Sequence, residues 1–305
     1  MICIGEEYRV IGLSMPEIEL GSDLAEMIVK VANEQAGGIQ NGDVIVVTSK
    51  IISKAKGYLE HYLDIKPSKK AKIISRLTGK PDWEVELILK HSKRIIAAIP
   101  VTRLLLERGY HKMMKNPKNA LEVLRRDPVM LVVENRQGML CTDAGLDTSN
   151  TPYGVASIPP PDPDEEARLL RERIEKLVNK RIAVVVTDTE ATITRLGSVD
   201  IAVGSSGIRA IKRELGQLDL YGKPKYGGVD IVVNEIAAAA ALLMGQTHEG
   251  VPVVIVRGLE FERDCKEGVK DIVITHEMLM KGARATFLLT LKLKLRLLLY
   301  KLFRL

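Results

Sequence analysis

Residues 42–57 read GDVIVVTSKIISKAKG, and this stretch decides the fold class. Asn41-Gly42 is a turn signal, and the β-branched run Asp43–Val47 behind it reads as a buried strand. The chain then emerges into Thr48-Ser49-Lys50, with Lys54 four residues on. Hydroxyls and two cations at a strand end suit a phosphate chain, although a Lys-rich stretch is also what a solvated surface looks like. The glycines of a Walker loop are missing. Comparable apolar runs recur at Val129–Val133, Ile182–Thr187 and Val251–Val256. Helical periodicity fills Asp23–Val31, Trp83–His91 and Ile236–Met244. A further helix is expected after the proline break at 159–163. Asp162 would cap it, Pro163 would open it, and Asp164, Glu165 and Glu166 would face the positive end of its dipole. Val101–Asp127 reads as a helical insertion between two strands, with His111 a surface histidine. The expected class is therefore α/β with mixed sheets. A catalytic body would span 1–258 and a C-terminal extension 259–305.

Composition removes other classes. The 305 residues are 46% hydrophobic and 28% charged, enough to bury a core. The net charge is +6, yet seven basic residues and no acidic one lie in 281–305, so residues 1–280 carry −1. A nucleic-acid-binding body would need its own basic face. With three Phe, one Trp and eight Tyr, base-stacking platforms are also poorly supplied. Cys3, Cys141 and Cys265 are far apart and lack C-x-x-C pairing, which argues against a disulfide framework or a structural zinc and for a reducing cytoplasm. The first residues lack the basic and apolar regions of a secretory signal, and no apolar run reaches the ~18–20 residues that span a bilayer. The tail segment Leu291–Leu297 (LKLKLRL) alternates with period two. Its charges would line one face of a strand and scatter around a helix. The expectation is a Lys-guarded edge strand or a loosely held terminus, above any membrane contact.

Four segments carry candidate chemistry. The first is the Ser49–Lys54 run. In the second, Asp143-Ala-Gly-Leu-Asp147-Thr-Ser-Asn150, two carboxylates four apart could face a hard cation or simply form an Asx turn. The third, Thr187-Asp188-Thr189-Glu190, stands at a strand end, where α/β proteins gather ligand sites. The fourth, Met244-Gly245-Gln246-Thr247-His248-Glu249-Gly250, is a polar break after an Ala-rich helix. His248 lacks partners for zinc, and the carboxylates, amides and hydroxyls favour an oxygen-liganded cation. Gly204-Ser-Ser-Gly207 before a helix-like Ile208–Leu215 could cradle an anion or make a plain turn.

Taken in order, these segments resemble the coenzyme F420-0:L-glutamate ligase family of gamma-glutamyl ligases. The matches are the 42–57 run, AG-D-SN at 144–150, PPDPD at 160–164 and TDT at 187–189. GQLDLYG at 216–222, EIAAAAALLMG at 235–245 and PVVIVRG at 252–258 complete the set. The resemblance covers roughly residues 8–258. It implies an intertwined α/β homodimer that binds GTP and Mn²⁺ or Mg²⁺, with K⁺ a further candidate. It also implies glutamate addition to the deazaflavin precursor through an acyl phosphate. Asp147, Asp188, Thr189 and Gln246 would be metal ligands. Leu13, Ser14, Met15, Pro16, Ser49, Lys50, Lys54, Asn150 and Met244–Val251 (with Gly245, Gln246, Thr247, His248, Glu249 and Gly250) would contact the nucleotide. No protein nucleophile is needed. The chain departs from the pattern at 190–195, where Glu190-Ala-Thr-Ile-Thr-Arg195 replaces a Gly-Arg pair and an aromatic-Arg. Asp143 also stands where Asn is usual. The altered 190–195 segment motivates, as the alternative, a paralogous ligase for another carboxylate; a different class is a nucleotide-binding relative that kept the site but lost turnover.

Overall fold

The computed structural model describes residues 7–303, apart from Gln137, Ile193, Thr194 and Cys265. The strands are β1 (Arg9–Leu13), β2 (Val44–Thr48), β3 (Leu59–His61), β4 (Ser92–Ile99) and β5 (Met130–Asn135). They continue with β6 (Leu140–Thr142), β7 (Val155–Ser157), β8 (Ala183–Ala191), β9 (Ser198–Ser206) and β10 (Val253–Arg257). The helices are α1 (Leu24–Ala36), α2 (Ser49–Lys56), α3 (Lys69–Thr78), α4 (Asp82–His91) and α5 (Val101–Glu107). After these come α6 (Pro117–Arg126), α7 (Pro163–Val178), α8 (Val232–Met244) and α9 (His276–Phe303).

The main sheet runs β1-β10-β2-β8-β9 and is mixed, as the class expected. β2 lies parallel to β8, while the β1–β10, β10–β2 and β8–β9 pairs are antiparallel. Because strand side chains alternate between faces, the apolar runs feed two cores. Ile45, Val47, Val184, Val186, Val253 and Ile255 pack with α1, α2 and α7. Val44, Val46, Ala183, Val185, Val254 and Val256 pack with α8. Burial on both faces explains why these strands read as continuous apolar runs. At the far end of β2, Arg257 holds the buried Asp43 through two hydrogen bonds of 2.9 and 2.8 Å. Such a fork against a carboxylate fixes both groups in register.

A second lobe holds the three-stranded sheet β4-β5-β6, packed with α4 around Ile88, Leu131 and Val133. Residues 101–126 leave this sheet between β4 and β5 as α5, a 3-10 turn and α6, so the expected helical excursion is present. His111 is half-buried there. β3 and β7 form a small antiparallel pair. Asp162 caps α7 as read from the sequence, accepting a hydrogen bond from Glu165 N.

Two expectations are corrected. Ile208–Leu215 is not a helix. Its backbone N–H groups go to distant partners, Arg209 to the Glu262 carbonyl and Ala210 to the Glu267 carboxylate. That leaves no ladder within the segment. Gly204 ends instead in a close approach, since a Cβ there would lie 2.3 Å from the Pro163 backbone at the start of α7. The tail is also no strand: Leu291–Leu297 lies within α9, whose residues 277–300 are exposed. Leu, Lys and Arg are strong helix formers, and a helix satisfies its own backbone where an unpaired strand cannot. The charges scatter around it, as the period required. No helix among the described residues is long and apolar enough to cross a membrane.

Candidate active site

The parallel pairing of β2 and β8 sets Thr48 beside Thr187, so both strands end at one edge. Beyond that edge opens a cleft of about 860 Å³, a size that suits a small-molecule site. Ser49 and Lys50 begin α2 on one side, and Asp188 and Thr189 continue β8 on the other. Ser49 Oγ donates to Asp188 Oδ2 at 2.8 Å. The Asp143–Asn150 loop supplies Asp147, whose Oδ2 lies 2.5 Å from Lys50 Nζ. Lys50 also donates to Ser149 Oγ at 2.7 Å and to its carbonyl at 3.0 Å. The loop after α8 closes the rim: Asn150 Nδ2 donates to the Thr247 carbonyl at 2.9 Å, and Met15 N to the Gly250 carbonyl at 3.1 Å. Thr247 is itself folded onto Glu249 through its N–H at 2.8 Å.

The electrostatics of the two aspartates differ. Burial, followed by the nearby Asp147 charge, raises Asp188 from the ordinary 3.8 to about 6. Burial would raise Asp147 too, but Lys50 and the Ser149 donors outweigh it and hold that carboxyl low. Two carboxylates that repel across a cleft, with a hydroxyl and an amide oxygen beside them, form an oxygen donor set fit for a hard divalent cation. Thr189 Oγ1 is 2.8 Å from Asp200 Oδ1 and 3.1 Å from Gln246 Oε1, and Gln246 Nε2 donates to Asp200 at 3.0 Å. Cys141 also lines the cleft, but burial and three neighbouring carboxylates push its thiol up to about 12. It is no nucleophile at neutral pH.

Most residues singled out from the sequence therefore meet. Met15, Pro16, Ser49, Lys50, Lys54, Asp147, Asn150, Asp188, Thr189 and the whole of 244–251 line the cleft. Leu13 and Ser14 do not: Leu13 is fully buried in the core, and Ser14 N–H donates to Gln35 Oε1. His248 is exposed, its ring 3.1 Å from Thr247 Oγ1 and its charge felt by Glu249. Sequence reasoning missed three groups. Glu17 pairs with Lys54, Asp200 organises Thr189 and Gln246, and Thr142 donates to Glu190 at 2.9 Å. Asp200 had a signal, being an acid inside the apolar alternation of SVDIAV. Of the 190–195 departure, Glu190 lines the cleft, while Ile193 and Thr194 lie outside the described residues.

A tighter acidic cluster lies nearby. Glu84, Asp127 and Asp143 bring carboxylate oxygens within 4.8 Å of one another. The cation among them is Lys80, whose ammonium lies 2.8, 2.5 and 3.3 Å from the three. Asp143 thus turns its charge toward Lys80 and accepts from Leu131 N at 2.9 Å.

A cleft at the carboxyl ends of two parallel strands, lined by hydroxyls, lysines and carboxylates, is where α/β proteins gather their ligand sites. The chain belongs to the F420-0:Gamma-glutamyl ligase family, whose family model matches residues 12–258. It is 37% identical over 254 residues to the coenzyme F420:L-glutamate ligase of Archaeoglobus fulgidus, covering 83% of this chain and 88% of that protein. It is 35% identical over 265 residues to the ligase of the same name from Methanothermobacter thermautotrophicus, covering 87% and 94%. For the Methanopyrus kandleri ligase the identity is 34% over 252 residues, covering 83% and 87%.

Proposed function

We propose that the chain is a GTP-dependent ligase that joins L-glutamate to the coenzyme F420-0 precursor and then adds a second glutamate through its γ-carboxyl group. The observation that carries this is the meeting of Ser49-Lys50 with Asp188-Thr189 at one sheet edge, roofed by the 143–150 and 244–251 loops. In this reading the acceptor carboxylate attacks the γ-phosphorus of GTP, the bond to the bridging oxygen breaks and GDP leaves. The glutamate amine then attacks the acyl carbon, phosphate departs and the amine proton is lost. Lys50 and Lys54 reduce the repulsion between carboxylate and phosphate, Ser49 and Asn150 orient the nucleotide, and the two loops exclude water from the acyl phosphate. Mn²⁺ or Mg²⁺, held by Asp147, Asp188, Thr189 and Gln246, would supply charge neutralisation at the transferring phosphoryl group. K⁺ is a further candidate cation.

A homodimer belongs to this reading. Leu218, Leu220, Tyr221 and Tyr226 stand on an arm with their side chains open to solvent, apolar surface that a second copy would cover. The setting is cytoplasmic. Glu190, an acid in the cleft wall, favours a second reading: a ligase of the same chemistry for a different carboxylate acceptor. An end-point mass-spectrometry assay with GTP, Mn²⁺, L-glutamate and F420-0 separates them. Growth by one or two glutamyl residues supports the first. GTP turnover only with another acceptor supports the second, and no GTP binding overturns both.

A further inference from the structure

Lys80 lies between α3 and α4 with its side chain wholly shielded from solvent. An ammonium taken out of water is tolerated only when paired and hydrogen-bonded, and the structure pairs this one three times over. Each partner belongs to a different part of the chain. Glu84 is on α4, Asp127 directly follows α6 at the base of the helical insertion, and Asp143 opens the loop that carries Asp147, Ser149 and Asn150.

That loop begins under strain. Asp143 and Ala144 both have left-handed backbone, with φ of 48° and 58°, and Gly145 follows at 70°. A Cβ on Gly145 would meet Pro159 Cγ at 2.5 Å, so the third position is closed to other residues. Asn150, at the far end, has φ of 52°. Non-glycine residues in this region are strained and persist where the surroundings over-determine them. At Asp143 the surroundings are the Leu131 N–H and Lys80. Beyond the bend, the loop is pinned by Asp147 and Ser157, which exchange backbone hydrogen bonds of 3.2 and 2.8 Å.

We propose that Lys80 is a positioning residue: its buried ammonium holds Asp143 in the left-handed turn, aims Asp147 and Asn150 into the cleft, and ties that loop to the helical insertion through Asp127. This extends the ligase reading but makes a claim that can fail separately. The same geometry makes the Glu84–Asp127–Asp143 cluster a filled cation site, so a metal ion has no place there while Lys80 is present.

The test compares wild type with Lys80→Met, Lys80→Arg and Asp143→Asn. Mn²⁺ binding in the presence of GTP is read by electron paramagnetic resonance, and amide hydrogen exchange is read without ligands. Residues supporting metal ligands typically change affinity ~10–100-fold when removed. Lys80→Met is expected to weaken Mn²⁺ by that factor, with Lys80→Arg recovering part of it. Exchange should rise at residues 143–150 while β2 and β8 stay protected. Asp143→Asn keeps the shape and the Leu131 contact, so it serves if Lys80→Met does not fold, with a several-fold loss expected. Unchanged exchange at 143–150 in both Lys80→Met and Asp143→Asn overturns the proposal whether or not the wild type binds Mn²⁺. Wild type that binds no Mn²⁺ or GTP overturns the ligase reading alone.

Discussion

Two acidic clusters lie a few residues apart and face opposite electrostatic problems. Around Lys80, three half-buried carboxylates surround a fully buried cation of the protein itself. Burial raises Glu84 and Asp143, and Lys80 itself is held high by Asp143 and Glu84 against the opposing effect of its burial. In the cleft, Asp147 is paired with Lys50, whereas for Asp188 the Ser49 hydroxyl, the Thr189 N–H and the more weakly felt Lys50 charge do not outweigh burial and the Asp147 charge. A list of acidic residues does not tell these apart. What separates them is whether a cation of the protein itself occupies the centre. The first cluster is neutralised by the ammonium at its centre, while in the second Lys50 pairs with Asp147 and leaves the Asp188 carboxyl raised.

The sharpest way to break this comparison is Asp188→Asn. Losing a charged oxygen from the cleft removes several kcal/mol of transition-state stabilisation, on the order of a 10³-fold loss of turnover at 1.36 kcal/mol per tenfold. The circular-dichroism spectrum should be unchanged, and near-normal glutamyl transfer would sink the ligand assignment. The complementary change in the filled cluster shows in stability. Lys80→Met leaves three half-buried carboxylates without their partner, which costs about 1–3 kcal/mol in urea unfolding. A loss below ~1 kcal/mol would mean that the cluster reorganises freely.

Titration sharpens the contrast. With its carboxyl raised to about 6 from 3.8, Asp188 favours folding most when protonated. Its contribution to the metal-free protein is therefore full below about pH 4 and is lost as pH rises through about 6. Mn²⁺ should release a proton on binding near pH 5 and release little at pH 7.5. Calorimetry in two buffers of different ionisation enthalpy reads the proton directly, and equal release at both pH values would contradict the assignment. The smallest effect is expected far from both clusters. Ending the chain at residue 275 removes a helix whose residues 277–300 are open to solvent, so unfolding of the body should shift by no more than ~0.5 kcal/mol.

Much of this was legible in the residues. The runs 43–47, 182–187 and 251–256 marked three of the five strands of the main sheet because strands covered on both faces must be apolar throughout. Thr187-Asp188-Thr189 stood out because polar residues ending such a run have little use in a core. The Asp162-Pro163 start of α7 was readable because capping is local chemistry. Ile208–Leu215 was misread because its backbone partners, Glu262 and Glu267, lie some fifty residues away. The tail was misread because its period of two is also what a solvated helix of Leu and Lys can carry without penalty.

The sequence by itself determined the doubly covered strands β2, β8 and β10, where α7 starts, and that Thr187-Asp188-Thr189 stands at a strand end. These follow from side-chain period, capping and backbone conformation, all set within a few residues. Only the tertiary structure decided that Asp147 faces Lys50 while Asp143, four residues earlier, turns to Lys80. It also decided that Asp200 and Glu17 join the site and that Leu13 does not. A carboxylate's role depends on which cation the fold brings within about 4 Å, and that distance is a property of chain segments 50 to 100 residues apart.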